Sequence, residues 1–349
     1  MQHKSMFSEL DLLGLRRPLF GDFVRQLTSV TSDQMVECLR EQQGAGGSLG
    51  EILCRRGVLT QDQVLEILAM QARWVADTMR GEFSPLELPY PAKVSVCLPA
   101  FNEQATIINT LEAATAILPA FVRDFELVVV DDGSRDQTAQ RVQDYAARNG
   151  RARLVRHEKN RGYGAAVTTG LRAATGDLVM FTDSDGQFSM LDLPQLLARL
   201  PGNDFVIGYR WKRADKFMRL VNAWLWGKLV RLILGVHVRD LDGAFKIFPR
   251  ELVQKLQLTS SGAGINAEIM AQCTSGGLKF AEVPVNHYPR YAGAPTGANL
   301  KVILKAFRDL PRMWKYRKTP PLRLSGSKPV SSLRPTAPRV SESRRMNVS

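Results

Sequence analysis

The sequence predicts an α/β fold preceded by a small helical module. Over residues 93–288 short apolar runs alternate with helical stretches, and polar groups are loaded onto five successive strand ends. The first ninety residues repeat themselves.

In that repeat, TSDQMVECLREQ at 31–42 aligns with TQDQVLEILAMQ at 60–71, an offset of 29 residues. FGDFV at 20–24 aligns with LGEIL at 49–53 at the same offset. Each copy reads as a short helix, a turn and a longer helix opened by a capping Thr or Ser. Each copy would bury one face against its twin. GEFSPLELPYP at 81–91, with three prolines and a glycine, marks a boundary. The expected division is a helical two-repeat module over 1–85, a linker over 86–92 and a large domain over 93–317.

Within the large domain KVSVCLPA, FELVVVDD, ARLVRHE, DLVMFTD and DFVIGYR, with a later FAEVPVNHY, read as strands. Their alternation with helices predicts a largely parallel sheet with helices on both faces. Ligands of such sheets sit at the carboxyl ends of strands. Those ends carry PAFNE, DDGSRDQT, HEKNRGYG, TDSDGQ and GYR. An amphipathic helix with two tryptophans is expected over 214–236 and a basic one over 298–317. A disordered basic Pro/Ser-rich tail is expected over 318–349.

A hydrophobic fraction of 44% with 23% charged residues is that of a soluble globular chain. No uncharged apolar run approaches the ~20 residues that a membrane helix needs. The N-terminal MQHKSMFSELDLL has acids and no apolar stretch of signal-peptide length. Four scattered cysteines without a CxxC pair argue against a zinc site or disulfide framework and suit a reducing cytoplasm. The net charge of +13 gathers at the C-terminus, where residues 300–349 hold 13 basic and 2 acidic groups. Such a segment binds an anionic surface or stays a solvated tail. Nucleic acid is not an expected partner.

The strand ends narrow the chemistry. LPAFNEQA follows the first strand without the glycines of GxGxxG, which disfavours hydride transfer, and no GxxxxGK[ST] is present. Asp131 and Asp132 end the second strand, where a carboxylate accepts hydrogen bonds from a base or ribose; Ser134 or Asp136 would cap the next helix. Lys159, Asn160, Gly162 and Gly164 open another helix, and glycines let a ligand approach the backbone. Asp183 and Asp185 in TDSDGQ form an Asp-x-Asp. Mg²⁺ and Mn²⁺ take oxygen ligands, one or two carboxylates plus substrate phosphates, and neutralise a diphosphate leaving group. As a tripeptide Asp-x-Asp is commonly a solvated turn; here it stands fourth in a series of loaded strand ends.

VSVCLPAFNEQATI, VVVDDGSRDQT, NRGYGAAVTTGL, DSDGQF, VIGYR and RDLDGAFKIF resemble, in order and spacing, the inverting family 2 nucleotide-sugar glycosyltransferases. The resemblance covers roughly residues 92–312 and is greatest to the polyprenyl-phosphate, dolichol-phosphate mannose synthase-like branch. It implies a GT-A, Rossmann-like fold, a nucleoside-diphosphate sugar donor and Mg²⁺ or Mn²⁺. It places Pro99, Asn102, Glu103, Asp132, Gly162 and Asp183 around the donor. It makes Asp183, Asp185 and Gln187 the metal contacts and puts Arg210 and Arg219 at phosphates. Asp240 matches the aspartate of the D-x-x-[SC]-G-F-R motif, with Lys246 in place of its arginine. Ala223 stands where the branch often has serine.

The N-terminal repeat resembles the N-terminal domain of type II secretion and pilus-assembly ATPases, most clearly through LGEILCRRGVLTQDQVLEILAMQ. Some of those domains bind cyclic di-GMP through motifs opening Arg-Leu-Gly. Leu19 and Ser48 hold the arginine positions here, so a docking or structural role is expected in place of cyclic di-GMP binding.

A sugar hydroxyl loses its proton as it attacks and needs a positioned base. A lipid monophosphate, with a second pKa of about 6, is already anionic. It needs cations, which Arg210, Arg219 and Lys246 would supply. Asp240 is then a base, an orienting group or the ion-pair partner of a neighbour such as Arg239. The expected function is transfer of a hexose to a polyprenyl phosphate at the cytoplasmic face of the membrane. The same donor chemistry on a sugar hydroxyl is one alternative, and a non-catalytic docking protein is another. The amphipathic helices suit a peripheral enzyme held at a membrane surface or by a membrane partner protein.

Overall fold

Seven strands pair into one sheet: β1 (Tyr90–Ala100), β2 (Val122–Asp131), β3 (Ala152–Arg156), β4 (Leu178–Phe181), β5 (Phe205–Arg210), β6 (Lys246–Pro249) and β7 (Phe280–Val285). Their order is β3-β2-β1-β4-β6-β5-β7. The computed structural model describes residues 19–45, 47–79, 87–211, 217–290, 310–318 and 322. Val94, Val96, Cys97 and Leu98 in β1 and Leu127 to Val130 in β2 are all fully buried. Such continuous apolar runs belong to parallel strands covered on both faces.

β1 pairs in parallel with β2 and β4, β2 with β3, and β5 with β7. The expected largely parallel sheet has one exception. β6 runs antiparallel to both β4 and β5. KIFP is four residues long and ends on proline, too short to show a period. Its direction matters, because it brings the start of β6 to the edge where β4 and β5 end. From β1 the chain moves outward through β2 to β3 and then returns to β4 on the other side of β1, which makes that edge the switch point of the sheet.

Before the sheet come helices α1 (Phe20–Leu27), α2 (Ser32–Ala45), α3 (Leu49–Arg55) and α4 (Gln61–Met79). Each copy of the repeat thus folds as a short and a long helix. The shared Thr and Gln of the two copies are reciprocal caps. Thr31 N donates to Gln34 Oε1 at 2.9 Å and Gln34 N to Thr31 Oγ1 at 3.3 Å. Thr60 and Gln63 repeat the pair at 2.8 and 3.2 Å. Val24, Met35, Cys38, Ile52, Leu53, Val64 and Ile67 form a core of their own. The far half of α4 leaves that core: Ala72, Val75, Ala76 and Met79 pack into the core of the sheet. Residues 80–86 of the expected hinge lie outside the described residues, and β1 has begun by Tyr90.

The remaining helices are α5 (Ile107–Ile117), α6 (Thr138–Arg148), α7 (Tyr163–Ala173), α8 (Leu193–Arg199), α9 (Phe217–Leu234), α10 (Arg250–Lys255) and α11 (Ile265–Ser275). α3 and α4 both reach α5: Gln61 Nε2 of α4 donates to Glu112 Oε2 at 3.0 Å, and Asn109 Nδ2 donates to Glu51 Oε1 of α3 at 3.3 Å. α9 answers to the amphipathic helix expected over 214–236. Of the basic helix expected over 298–317, residues 298–309 lie outside the described residues. So does all of the expected tail except Lys318, which closes the 3-10 turn Trp314–Lys318, and Leu322.

Candidate active site

Three loops at the carboxyl edge of the sheet are welded to one another. Asn102, at a left-handed φ of 56°, donates its N–H to Ser134 Oγ (2.9 Å) and accepts through Oδ1 from Arg135 N (2.9 Å). Glu103 N donates to Thr138 Oγ1 at 2.8 Å. Asp136 accepts from Gln104 N (3.1 Å) and Thr138 N (3.0 Å); it stands one residue before Gln137, the N-cap of α6, which makes no side-chain cap bond. Asp132 holds the third loop. Its Oδ1 accepts from Arg161 N at 2.9 Å and its Oδ2 from Gly162 N at 2.8 Å. His157 Nδ1 lies 2.7 Å from the same carboxylate.

These contacts place two of the residues expected at the donor inside the loop framework. Asp132 is only 2% exposed, and its carboxylate is committed inside the loop framework. The Glu103 carboxylate accepts from Thr106 Oγ1 (3.0 Å) and forms an ion pair with Arg290, which follows β7. The framework shapes the pocket rim, and the polar side chains of Asn102, Glu103 and Asp132 are its struts.

Asp183 and Asp185 follow β4 at this edge. Ser184 between them is buried; its Oγ donates to Pro99 O at 2.8 Å, and its carbonyl accepts from Thr110 Oγ1 at 3.1 Å. The turn is therefore anchored by its middle residue. Asp183 Oδ1 accepts from Tyr163 OH at 3.0 Å, and Asp185 Oδ1 from Gln187 N at 3.1 Å. Burial pushes the Asp183 carboxyl up. Burial and the Asp183 charge together push Asp185 to about 7. Arg290 Nη1 stands 3.8 Å from Asp185 Oδ2. Gln187 reaches the other way: its Nε2 donates to Tyr288 O at 2.8 Å.

The donor set fits a hard divalent cation. It consists of two half-buried carboxylates, oxygen only, whose mutual repulsion a cation relieves. Among the described residues no cluster of three His, Cys, Asp or Glu side chains is arranged around an ion. The other ligand positions would fall to diphosphate oxygens and water, which Mg²⁺ and Mn²⁺ accept.

Arg210 ends β5 and is gripped by Asp240. Its Nε donates to Oδ2 at 2.6 Å and its Nη2 to Oδ1 at 2.8 Å, with side chains 6% and 7% exposed. The ion-pair partner of Asp240 is thus Arg210, not Arg239, which turns to Glu282 and Tyr209. The backbone of Arg219 lies in α9, and its side chain is outside the described residues.

Lys246 requires a correction. The sequence sets its ammonium at a phosphate. Because β6 is antiparallel, Lys246 enters the sheet between Phe181 and Ile207 and is fully buried. Its Nζ donates to Leu241 O (3.2 Å), Gly243 O and Asn266 Oδ1 (3.0 Å), the three donors that an ammonium has. Burial pushes its pKa down to about 8. Lys246 therefore ties down the turn that carries Asp240. Lys246→Met strips two buried carbonyls and an amide oxygen of their donor. It is expected to cost about 2–4 kcal/mol, read as a lower urea midpoint.

Residues 95–257 match the protein family described as Glycosyl transferase family 2. The matched stretch runs from β1 to just past α10. Around this stretch the chain is 30% identical over 222 residues to the dodecaprenyl-phosphate galacturonate synthase of Rhizobium johnstonii, spanning 62% of this chain and 64% of that one. It is 36% identical over 172 residues to the undecaprenyl-phosphate 4-deoxy-4-formamido-L-arabinose transferase of Pseudomonas aeruginosa, 48% of this chain and 50% of the relative. The chain thus spans less than two thirds of the length of either relative. The fold is GT-A. Glucosyl-3-phosphoglycerate synthase of Mycobacterium tuberculosis, solved with Mn²⁺, UDP and glucosyl-3-phosphoglycerate, matches with a TM-score of 0.52 at 24% identity over 71% of this chain and 84% of that one. The same enzyme with Mn²⁺, UDP-glucose and glycerol 3-phosphate matches at 0.51 and 26% identity over 64% and 80%. No helix among the described residues is long and apolar enough to cross a membrane.

Proposed function

We propose that the protein is an inverting glycosyltransferase that moves a hexose from a nucleoside-diphosphate sugar to a polyprenyl phosphate. The donor reading is supported by the Asp183–Asp185 turn at the switch point of a GT-A sheet. Bound there, Mg²⁺ or Mn²⁺ would supply Lewis-acid neutralisation of the departing diphosphate. Asp183 and Asp185 would hold the cation, and the welded loops around Asn102 and Gly162 would enclose the nucleoside. The names of the relatives, both polyprenyl-phosphate sugar transferases, favour the lipid phosphate as acceptor.

The single observation that carries the acceptor reading is the Arg210–Asp240 pair. Both oxygens of the Asp240 carboxylate accept from the Arg210 guanidinium, so the group is committed to an ion pair. Asp240 is thus poorly suited to deprotonate a sugar hydroxyl. A lipid phosphate needs no base, only a fixed cation, and Asp240 fixes the Arg210 guanidinium at the strand end. Arg219 from α9 would be a second phosphate contact.

The enzyme would work peripherally at the cytoplasmic face of a membrane. Exposed Trp211, Leu232 and Trp314 favour such contact. The N-terminal repeat would serve as its docking element. The test is transfer from radiolabelled UDP- and GDP-sugars to undecaprenyl phosphate, with Mn²⁺ and then with EDTA. Label that enters the organic phase only with metal is the expected result. Metal-dependent donor hydrolysis without a lipid product would overturn the acceptor assignment.

A further inference from the structure

Tyr163 is the first residue of α7 and takes no part in the roles above. Its hydroxyl donates to Asp183 Oδ1 at 3.0 Å. The ring packs half-buried against the core of the sheet, and toward an ionised carboxylate a phenol hydroxyl is the donor. The residues on either side of it are clamped. Gly162, at a φ of 100° open mainly to glycine, gives its N–H to Asp132 Oδ2 at 2.8 Å. Gly164 gives its N–H to Ser261 O at 3.0 Å, and a Cβ there would meet both Ser260 O and Gly262 O, the latter at 2.6 Å. The Ser260 loop is held in turn by the buried Glu268, which accepts from Thr259 N (3.1 Å) and Ser260 N (2.8 Å). The backbone on both sides of Tyr163 is thus held.

We infer that Tyr163 is a positioning residue for the cation site: it fixes one oxygen of Asp183 so that the other is presented to the metal. A carboxylate on a strand-end turn has a free χ2, and a donor on one oxygen removes that freedom. Outer partners of this kind orient metal-ligating side chains and typically contribute a factor of ~10–100 in affinity. The inference also gives Asp132 its purpose, since Asp132 holds the glycine that precedes Tyr163. It rests on the Asp183–Asp185 reading of the metal site.

The test is Mn²⁺ titration of the full chain, followed by the EPR signal of the free aqua ion, for the unaltered protein, Tyr163→Phe and Asp183→Asn. Phenylalanine keeps the ring and deletes only the donor. The expected result is Mn²⁺ binding that Asp183→Asn abolishes and Tyr163→Phe weakens by at least ~10-fold. The urea midpoint of Tyr163→Phe, measured alongside, is expected to stay close to that of the unaltered chain. Equal Mn²⁺ affinity in Tyr163→Phe and the unaltered chain would overturn the role of Tyr163 while leaving the metal site standing. Binding that Asp183→Asn does not change would remove the metal site itself, and the inference with it. Should Tyr163→Phe lower the urea midpoint, Gly162→Ala serves as the second variant, because it strains the same turn from its φ of 100° without touching the hydroxyl. Weaker Mn²⁺ binding there supports the positioning role, and unchanged binding counts against it.

Discussion

Asp185→Asn is expected to abolish metal-dependent transfer and, in the same protein, to raise the melting temperature of the metal-free form at alkaline pH. Activity should fall by ~10³-fold or more, about 4 kcal/mol of transition-state stabilisation. The stability change follows from the Asp185 carboxyl, raised to about 7 by burial and by Asp183. In the unfolded chain the same group titrates near pH ~4. Between about pH 4 and 7 the folded state holds a proton that the unfolded chain has released. Stability from this group is thus fully present below about pH 4 and lost as the pH rises through 7. Asparagine carries no charge and escapes that loss, so its gain is larger at pH 8 than at pH 5. A gain of about 2–4 °C corresponds to each kcal/mol recovered. Melting curves of both proteins at the two pH values, with EDTA, measure it. An equal difference at pH 5 and pH 8 would mean that the carboxyl is ordinarily solvated.

Asp240→Ala is expected to destabilise the chain by about 3–5 kcal/mol and to silence transfer. Arg210 is 6% exposed, and removing its bidentate partner leaves a buried guanidinium without compensation. The double replacement Arg210→Met with Asp240→Leu removes both charges and is expected to recover most of that stability. Transfer should not return, because the guanidinium proposed to face the acceptor phosphate has gone. Denaturant midpoints and transfer rates for the three variants separate the two roles. Recovery of activity along with stability would make the pair purely structural.

The six strands other than β6 and the Asp-x-Asp turn are legible because each is written locally. An apolar run followed by acids shows its own end, whatever it pairs with. Lys246 was misplaced because its environment depends on strand direction. KIFP gives no sign that it runs against its neighbours, and only that reversal puts the ammonium between β4 and β5. The sequence marks Asp132 as a residue of the site but does not show its partners within the chain. The groups that hold it, Arg161 N and Gly162 N, are backbone donors from a loop 29 and 30 residues away. Arg290 left no local signal at all. A lone arginine after a strand becomes part of the site only when the fold closes it onto Glu103 and Asp185. Tyr163 was visible in NRGYGAA, where the glycines drew the reading to the backbone and away from the ring between them.

Helix α4 is continuous through two cores, with Val64 and Ile67 in one and Ala72, Val75 and Ala76 in the other. Among the described residues the helix ties the two cores together, and fraying its far half uncovers the side of the sheet that it packs against. The two halves therefore share one folding equilibrium. Any molecule that grips the folded repeat stabilises the catalytic half by the same mass-action amount, RT ln(1 + [L]/Kd), without touching it.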